Sequence, residues 1–370
     1  VTINAELEAR ILANPDDLSA YLVYGDWLSE RGDPRGELIA VQAKLKETPG
    51  DAALTATEAK LIANNARAWL GDLAGKEDKD LAVKWRLGFL DSVRFGPPVD
   101  EYGASDLDFP SAIGTLMGLP GTAFVRELVV GSKESDDYPT SWQDCIDALA
   151  EHGVPKALTR LEFNRGGFWD ISSTELGSLE KLYPHLAGLH ELEIEMGSMN
   201  LGAIALPALR SLEIVTGGLT AANLESIGTA SWPNLERLSL CIGATDNEYG
   251  CDVQLEDAMK LLGRGCFGRV RHLGLANTNL ADRIAAALPE TKILAQLETL
   301  DLSRGTFGDD GARAIIDNAA AFRHLKKIDL THNFVSDAIA AELAKIGPEV
   351  VLDLPEQADD DDYRYVQISE

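Results

Sequence analysis

Several short strings in this chain carry residue types that could do chemistry. Gly263-Arg264-Gly265-Cys266-Phe267-Gly268 spells GxGxxG, which holds a pyrophosphate when it follows a strand and opens a helix. Here the order is reversed: a helical pattern over Leu255–Leu262 precedes it and a strand pattern from Val270 follows, so it reads as a glycine-rich turn. Cys145-Ile146-Asp147 sets a thiol two residues from a carboxylate, the raw material of nucleophilic transfer. The spacing of Cys145 with Ile146 and Leu149 favours a small buried residue on a helix. The histidines at 152, 185, 190, 272, 324 and 332 form no HExxH and no metal-spaced pair, and neither GxSxG nor GxxxxGK[ST] occurs. The expectation is no cofactor, no metal and no enzyme.

What remains is a periodic display of carboxylates. Apolar residues recur at the first, fourth and sixth places of successive segments: Val125/Leu128/Val130, Leu158/Leu161/Phe163, Leu189/Leu192/Ile194, Leu209/Leu212/Ile214, Leu235/Leu238/Leu240, Val270/Leu273/Leu275, Leu297/Leu300/Leu302 and Leu325/Ile328/Leu330. Leu352 and Leu354 read as an incomplete ninth. This is the leucine-rich-repeat signature, LxxLxL. Strands of this kind stack in parallel about 4.8 Å apart, and alternation turns the third, fifth and seventh places to the open face. The fifth place reads Val129, Glu162, Glu193, Glu213, Ser239, Gly274, Asp301, Asp329 and Asp353, mostly acidic. Glu191, Glu193 and Glu195 occupy all three outward places of one strand, and Glu162 and Glu213 flank them. Such a cluster is expected to be solvated surface, with Arg160, Arg210 and Arg237 nearby, or a docking site for a basic protein segment, or a seat for a divalent cation.

The elements that position these residues divide where the periodicity changes. Up to about residue 80 the pattern is helical: Asn4 caps a helix with Leu7, Ile11 and Leu12 on its apolar face, and Asn14-Pro15-Asp16-Asp17 breaks it. A second helix shows Leu18, Tyr21, Leu22 and Leu28 as one stripe until Gly32-Asp33-Pro34. A third follows Pro34, and a longer one follows Thr48-Pro49-Gly50 and ends at Gly71. Residues 85–95 read as one joining strand and residues 96–124 as a loop or irregular first repeat. Repeat spacings of 33, 31, 20, 26, 35, 27 and 28 leave little room for a helix after Leu189 and suit a strand-plus-helix unit toward the end, with helices over 311–321 and 336–346.

Two resemblances add to this. The string NPDDLSAYLVYGDWLSERGDPRGELIAVQ, with Trp27, Gly32, Asp33, Pro34 and Arg35, resembles the bacterial repeat-companion domain, which implies association with repeats and no activity. The residues themselves read as structural, with Trp27 in the core, and as helix caps or local ion pairs at Asp26, Glu30, Asp33 and Arg35; the alternative is a partner surface. The later repeats resemble ribonuclease inhibitor, which implies an α/β fold: a leucine-rich-repeat solenoid, a curved parallel sheet with outer helices, preceded by a small all-helical domain. Some bacterial repeat proteins use a Cys-x-Asp nucleophile as ubiquitin ligases, but in a separate helical domain, whereas Cys145 lies between two repeat strands.

The expected organisation is a helical companion domain over 1–84, repeats over 85–355 and an acidic tail or cap over 356–370. In that last stretch Asp359-Asp360-Asp361-Asp362 would be solvated and the aromatic and β-branched run after it would fold back as a cap. The 370 residues carry 33 Lys and Arg against 60 Asp and Glu, a net charge of −27, which argues against nucleic acid or an anionic membrane as partner. Four sparse cysteines imply free thiols, and Val1-Thr2-Ile3-Asn4 opens no secretory signal; with no stretch of about 20 apolar residues, the expected location is cytoplasmic. The expected function is a non-catalytic protein-interaction scaffold that binds a protein partner through Glu162, Glu191, Glu193, Glu195, Glu213, Asp301 and Asp329. The alternatives are an inhibitor of a basic enzyme or toxin, a Cys145-dependent transferase, and a component of an assembly.

Overall fold

The computed structural model describes residues 3–76, 80–97, 105, 107–133, 139–164, 171–245, 249–358 and 363–368. In chain order the first elements are helices α1 (Ala5–Ala13), α2 (Leu18–Ser29), α3 (Arg35–Glu47) and α4 (Ala52–Leu70), strands β1 (Leu81–Arg86) and β2 (Phe89–Phe95), α5 (Phe109–Met117) and β3 (Glu127–Val130). Then come β4 (Thr140–Ser141), α6 (Gln143–His152), β5 (Arg160–Phe163), β6 (Thr174–Ser178), β7 (Glu191–Glu195), β8 (Ser198–Asn200), β9 (Ser211–Val215), α7 (Ala221–Thr229), β10 (Arg237–Gly243) and α8 (Leu255–Leu262). The remainder is β11 (His272–Thr278), α9 (Ala281–Ala287), β12 (Thr299–Asp301), α10 (Asp309–Asp317), α11 (Ala319–Phe322), β13 (Lys327–Asp329), α12 (Asp337–Leu343) and β14 (Glu349–Val351). The chain forms two compact units, residues 1–134 with 147–167 and residues 135–146 with 168–370.

In the first unit, α1, α2 and α4 start where a side chain can take up orphan N–H groups: Asn4, Asp17 and Asp51 each accept from the first turn. Ile11, Tyr21, Tyr24, Leu28 and Ile39 bury their side chains together with Leu87, Phe89 and Phe124, each worth about 1.5–3 kcal/mol in apolar burial. Leu22, placed on the apolar stripe by spacing, faces out instead; its neighbour Val23 is exposed too. Gly36 is where α3 meets α2: a Cβ there would collide with Ser29 Oγ and the carbonyl of Gly25, so the approach requires glycine. Trp27 is half-buried against this core, with the Arg31 guanidinium 4.0 Å over its ring.

The single joining strand expected over 85–95 is a hairpin. Leu87 and Gly88 both take positive φ, 47° and 84°, and fold β1 back antiparallel on β2. From β2 onward the pairing is parallel, through β3 to β5. The expected loop over 96–124 contains α5, with a proline in its first turn, and a short 3₁₀ turn at Thr122–Phe124.

In the second unit β7, β9, β10, β11, β12, β13 and β14 pair in parallel in that order. The fourth-place residues Leu192, Leu212, Leu238, Leu273, Leu300 and Ile328 are in register and buried. Helices α7 to α12 return the chain between the later strands, and α8 and α12 occupy the helical patterns of the sequence. The 20-residue repeat after Leu189 holds no helix; it returns through β8, which pairs with β6, itself paired with β4. The ninth repeat is out of step with its expected register. Ile328 pairs with Val350 and Asp329 with Val351, so Val351 takes the fifth place that Asp353 was expected to fill. Leu354, expected as its sixth-place core residue, is exposed at a positive φ of 55°.

The four aspartates at 359–362 lie outside the described residues. Residues 363–368 do fold back onto the second unit, as a segment without strand pairing.

Candidate functional site: the strand face and the turns that close it

The parallel registers place the outward residues as the spacing predicts. In the first unit Ser92, Glu127 and Arg160 align at the third place, and Arg94, Val129 and Glu162 at the fifth. Glu162 is buried at 4% exposure and ion-paired to Arg160, which also lies 3.7 Å from Glu127. An aspartate and an arginine two residues apart repeat this on the helical side: Asp33 accepts from Arg35 at 2.6 Å, and Arg35 is buried. These are local ion pairs, as their spacing suggested, while Asp26 and Glu30 are exposed on α2 and at its end.

In the second unit Glu191, Glu193 and Glu195 stand on β7 at alternate, half-buried positions, with Leu192 and Ile194 buried between them. Glu193 is directly across from Glu213 on β9, and Glu191 across from Ser211. Asp301 and Asp329 pair with each other on β12 and β13. Ser239 and Gly274 fill the fifth place between Glu213 and Asp301, so the two acidic groups lie three strand steps apart, about 14 Å.

The carboxylates of the second group are engaged locally. Asp301 accepts from the N–H of Ser303 at 2.8 Å. Asp329 accepts from the N–H of Thr331 at 3.1 Å and its hydroxyl at 2.6 Å, and from Lys327 Nζ at 2.8 Å. Both therefore tie down the turn that follows their own strand. Burial raises the Asp329 carboxyl, but the hydrogen bonds from Lys327 and Thr331 outweigh it and leave the group below its usual value; Lys327 is raised in turn. At the third place between them, His272 bonds Thr299 Oγ1 at 2.8 Å, and burial together with Arg237 lowers its pKa.

In the second unit the end of β11 and the turn beyond β13 each hold a buried asparagine. Asn333 stands where the longer repeat pattern expects asparagine. Its Oδ1 accepts from the N–H groups of Gly305 and Phe307 at 3.2 and 3.1 Å, and its Nδ2 donates to the carbonyls of Leu302 and Leu330 at 2.9 and 3.0 Å. One side chain thus closes two repeats, which explains how glycine is tolerated at the equivalent place 305. Asn277, one place earlier in its own repeat and not singled out by the pattern, bonds instead to the backbone of Ile368.

The sequence motifs with chemical potential resolve as structure. Gly263 ends α8, a 3₁₀ turn follows over Gly265–Phe267, and β11 begins at His272, the reverse of a nucleotide-binding order. Cys145 is fully buried on α6, as are Ile146 and Leu149. Burial raises the Cys241 thiol to about 12, so it holds no thiolate near neutrality. Among the described residues no cluster of three or more His, Cys, Asp or Glu could hold a metal ion. No described helix is long and apolar enough to cross a membrane.

The stacked, in-register LxxLxL strands define a leucine-rich-repeat protein. A family model described as Leucine Rich repeat matches residues 296–315 and 323–344, the part of the chain where the repeats are most regular. A solved structure from Bacteroides fragilis is similar over 85% of this chain and 85% of its own, at 23% identity and a TM-score of 0.63, a likeness of fold. An internalin from Listeria monocytogenes is 13% identical over 64% of this chain and 69% of its own with a TM-score of 0.30, too distant to bear on function. No curated protein sequence matches the chain significantly.

Proposed function

We propose that this chain is a non-catalytic protein-interaction module of the cytoplasm, and that its strand face takes a basic segment of a protein partner. The observation that carries the reading is the alignment of Glu193 with Glu213 between Glu191 and Glu195. Two carboxylates about 5 Å apart repel by about 0.8 kcal/mol even in water, and a cation brought to such a group relieves that repulsion. Asp301 and Asp329 form a second, smaller group on the same sheet. Glu162, buried beside Arg160 in the other unit, holds its own strand end. Repeat arrays commonly bind protein along their exposed strands, which supports the same reading. The four free cysteines suit a reducing compartment. Functionally we divide the chain into a helical companion segment over 1–84, repeats over 85–355 and a closing segment over 356–370.

The test is a triple charge reversal, Glu191→Lys, Glu193→Lys and Glu213→Lys, assayed against a partner recovered by affinity capture. Binding should weaken at least tenfold with the circular dichroism unchanged, and wild-type binding should fall as ionic strength rises. Unaltered binding by the folded triple variant overturns the proposal.

A further inference from the structure

The turns that follow β11, β12 and β13 form a groove, and residues 364–368 lie in it with almost every residue engaged. The Arg364 guanidinium sits 3.5 Å from Asp282 Oδ2 and 3.3 Å from the carbonyl of Thr306, in space that exists because residue 308 is glycine; a Cβ there would collide with it. Asp282 is itself fixed, its other oxygen accepting from the N–H groups of Gly308 and Gly311. The Tyr365 ring meets Phe334 edge-on at 5.4 Å, Val366 is buried, and the N–H of Gln367 donates to the carbonyl of Arg304 at 3.0 Å. Asn277 then reads the backbone of Ile368 at two points. Its Oδ1 accepts from the Ile368 N–H at 2.8 Å, and its Nδ2 donates to the Ile368 carbonyl at 2.8 Å.

The contrast with Asn333 shows what this groove is built for. Asn333 satisfies all its bonds within the repeats, whereas Asn277, 0% exposed, spends its acceptor and its shorter donor contact on the main chain of a residue 91 positions away. Reading one residue's N–H and carbonyl together is recognition of main chain, indifferent to the side chain that residue bears. The occupant buries little apolar surface. Val366 is its one buried side chain, Tyr363 and Tyr365 remain exposed, and in sequence it follows four successive aspartates on a chain already strongly acidic. Segments with few buried apolar contacts open locally well before the fold does.

We propose that this groove is a peptide-binding site, that residues 364–368 occupy it as a tethered ligand, and that its open form takes a protein segment of the same chemistry. That segment presents an arginine to Asp282, a β-branched residue two places on, and the N–H and carbonyl of the residue two places further to Asn277. The site is separate from the acidic strand face, and neither proposal depends on the other.

The experiment uses the full chain and a labelled, end-blocked hexapeptide of residues 363–368, Tyr-Arg-Tyr-Val-Gln-Ile. Arg364→Glu with Val366→Asp should release the tethered copy. The released variant should then bind the hexapeptide at least tenfold more tightly than the wild type does, and a peptide with Arg364→Glu should not bind. A released variant with unchanged circular dichroism that takes up no peptide overturns the proposal. Hydrogen exchange on the unmodified chain decides independently if the variant does not fold. The amides of Gln367 and Ile368 should exchange at least tenfold faster than those of Leu275 and Leu300, and equal rates would show a permanent part of the fold.

Discussion

Arg160 and Glu162 on β5, and Lys327 and Asp329 on β13, are the same arrangement at the sequence level: a base at the third outward place and an acid at the fifth. In the first unit the acid is buried. In the second, the Lys327 and Asp329 side chains keep 40% and 25% of their exposure. Both units bury polar atoms in the turn beyond the strand, Ser132 and Asn164 in the first and Asn333 in the second, but the first also buries a charged group, Glu162, on its strand face. Where a repeat hides its polar atoms decides which of its surfaces stays available. Among the described residues no charged group is buried on the strand face of the later repeats.

This contrast can be broken most directly at Asn333. Asn333→Ala leaves two N–H groups and two carbonyls of the turns without partners, and each such loss costs about 1–3 kcal/mol, less than additively. A loss of about 4 kcal/mol is expected, read as a lower urea midpoint at unchanged slope. A loss below about 1 kcal/mol would mean that the turn does not depend on the asparagine. Next comes Arg160→Ala, which takes the guanidinium away from the buried Glu162 carboxylate; about 2 kcal/mol is expected, because Arg160 itself is half-buried. If this substitution costs no more than its counterpart on β13, the contrast between the two faces fails.

The smallest effect sharpens the comparison. Lys327→Ala should cost about 0.5 kcal/mol, the worth of an exposed pair. Asp329 is held below its usual pKa, so its stabilisation is complete above the unfolded value of about 4 and is lost as pH falls through the lower folded value. The melting temperatures of the wild type and Asp329→Asn should therefore differ at about pH 6 and converge by about pH 2. A difference that persists at the acid end would assign the effect to the Thr331 hydrogen bonds and not to charge.

Much of this was legible because the first, fourth and sixth places of a repeat have one job, burial, and leucine does it wherever it stands. The strands β3, β5, β7 and β9 to β13 and the alignment of Glu193 with Glu213 follow from counting. The same rule misled at the ninth repeat, where Leu352 and Leu354 copy the spacing but Val350 carries the pairing. The hairpin at Leu87-Gly88 was hidden because leucine rarely takes positive φ and so gives no turn signal beside its glycine. Within 96–124, the Pro110 that opens α5 was the available sign of a helix start. In the candidate site, Arg160 beside Glu162 was readable at a spacing of two. The bond between Asn277 and Ile368 was not, because nothing local links residues 91 positions apart.

The antiparallel hairpin of β1 on β2 bears on how such a chain lengthens. Repeat arrays grow when a unit is duplicated and its strand slots in parallel to its neighbours. A strand running the opposite way offers a mismatched ladder to any parallel newcomer. In the first unit, β1 therefore marks a side on which no copy can be added, and new repeats have to enter beyond β2. The family history of this array should be written in the middle and late repeats, with the hairpin kept at constant distance from the helices that precede it.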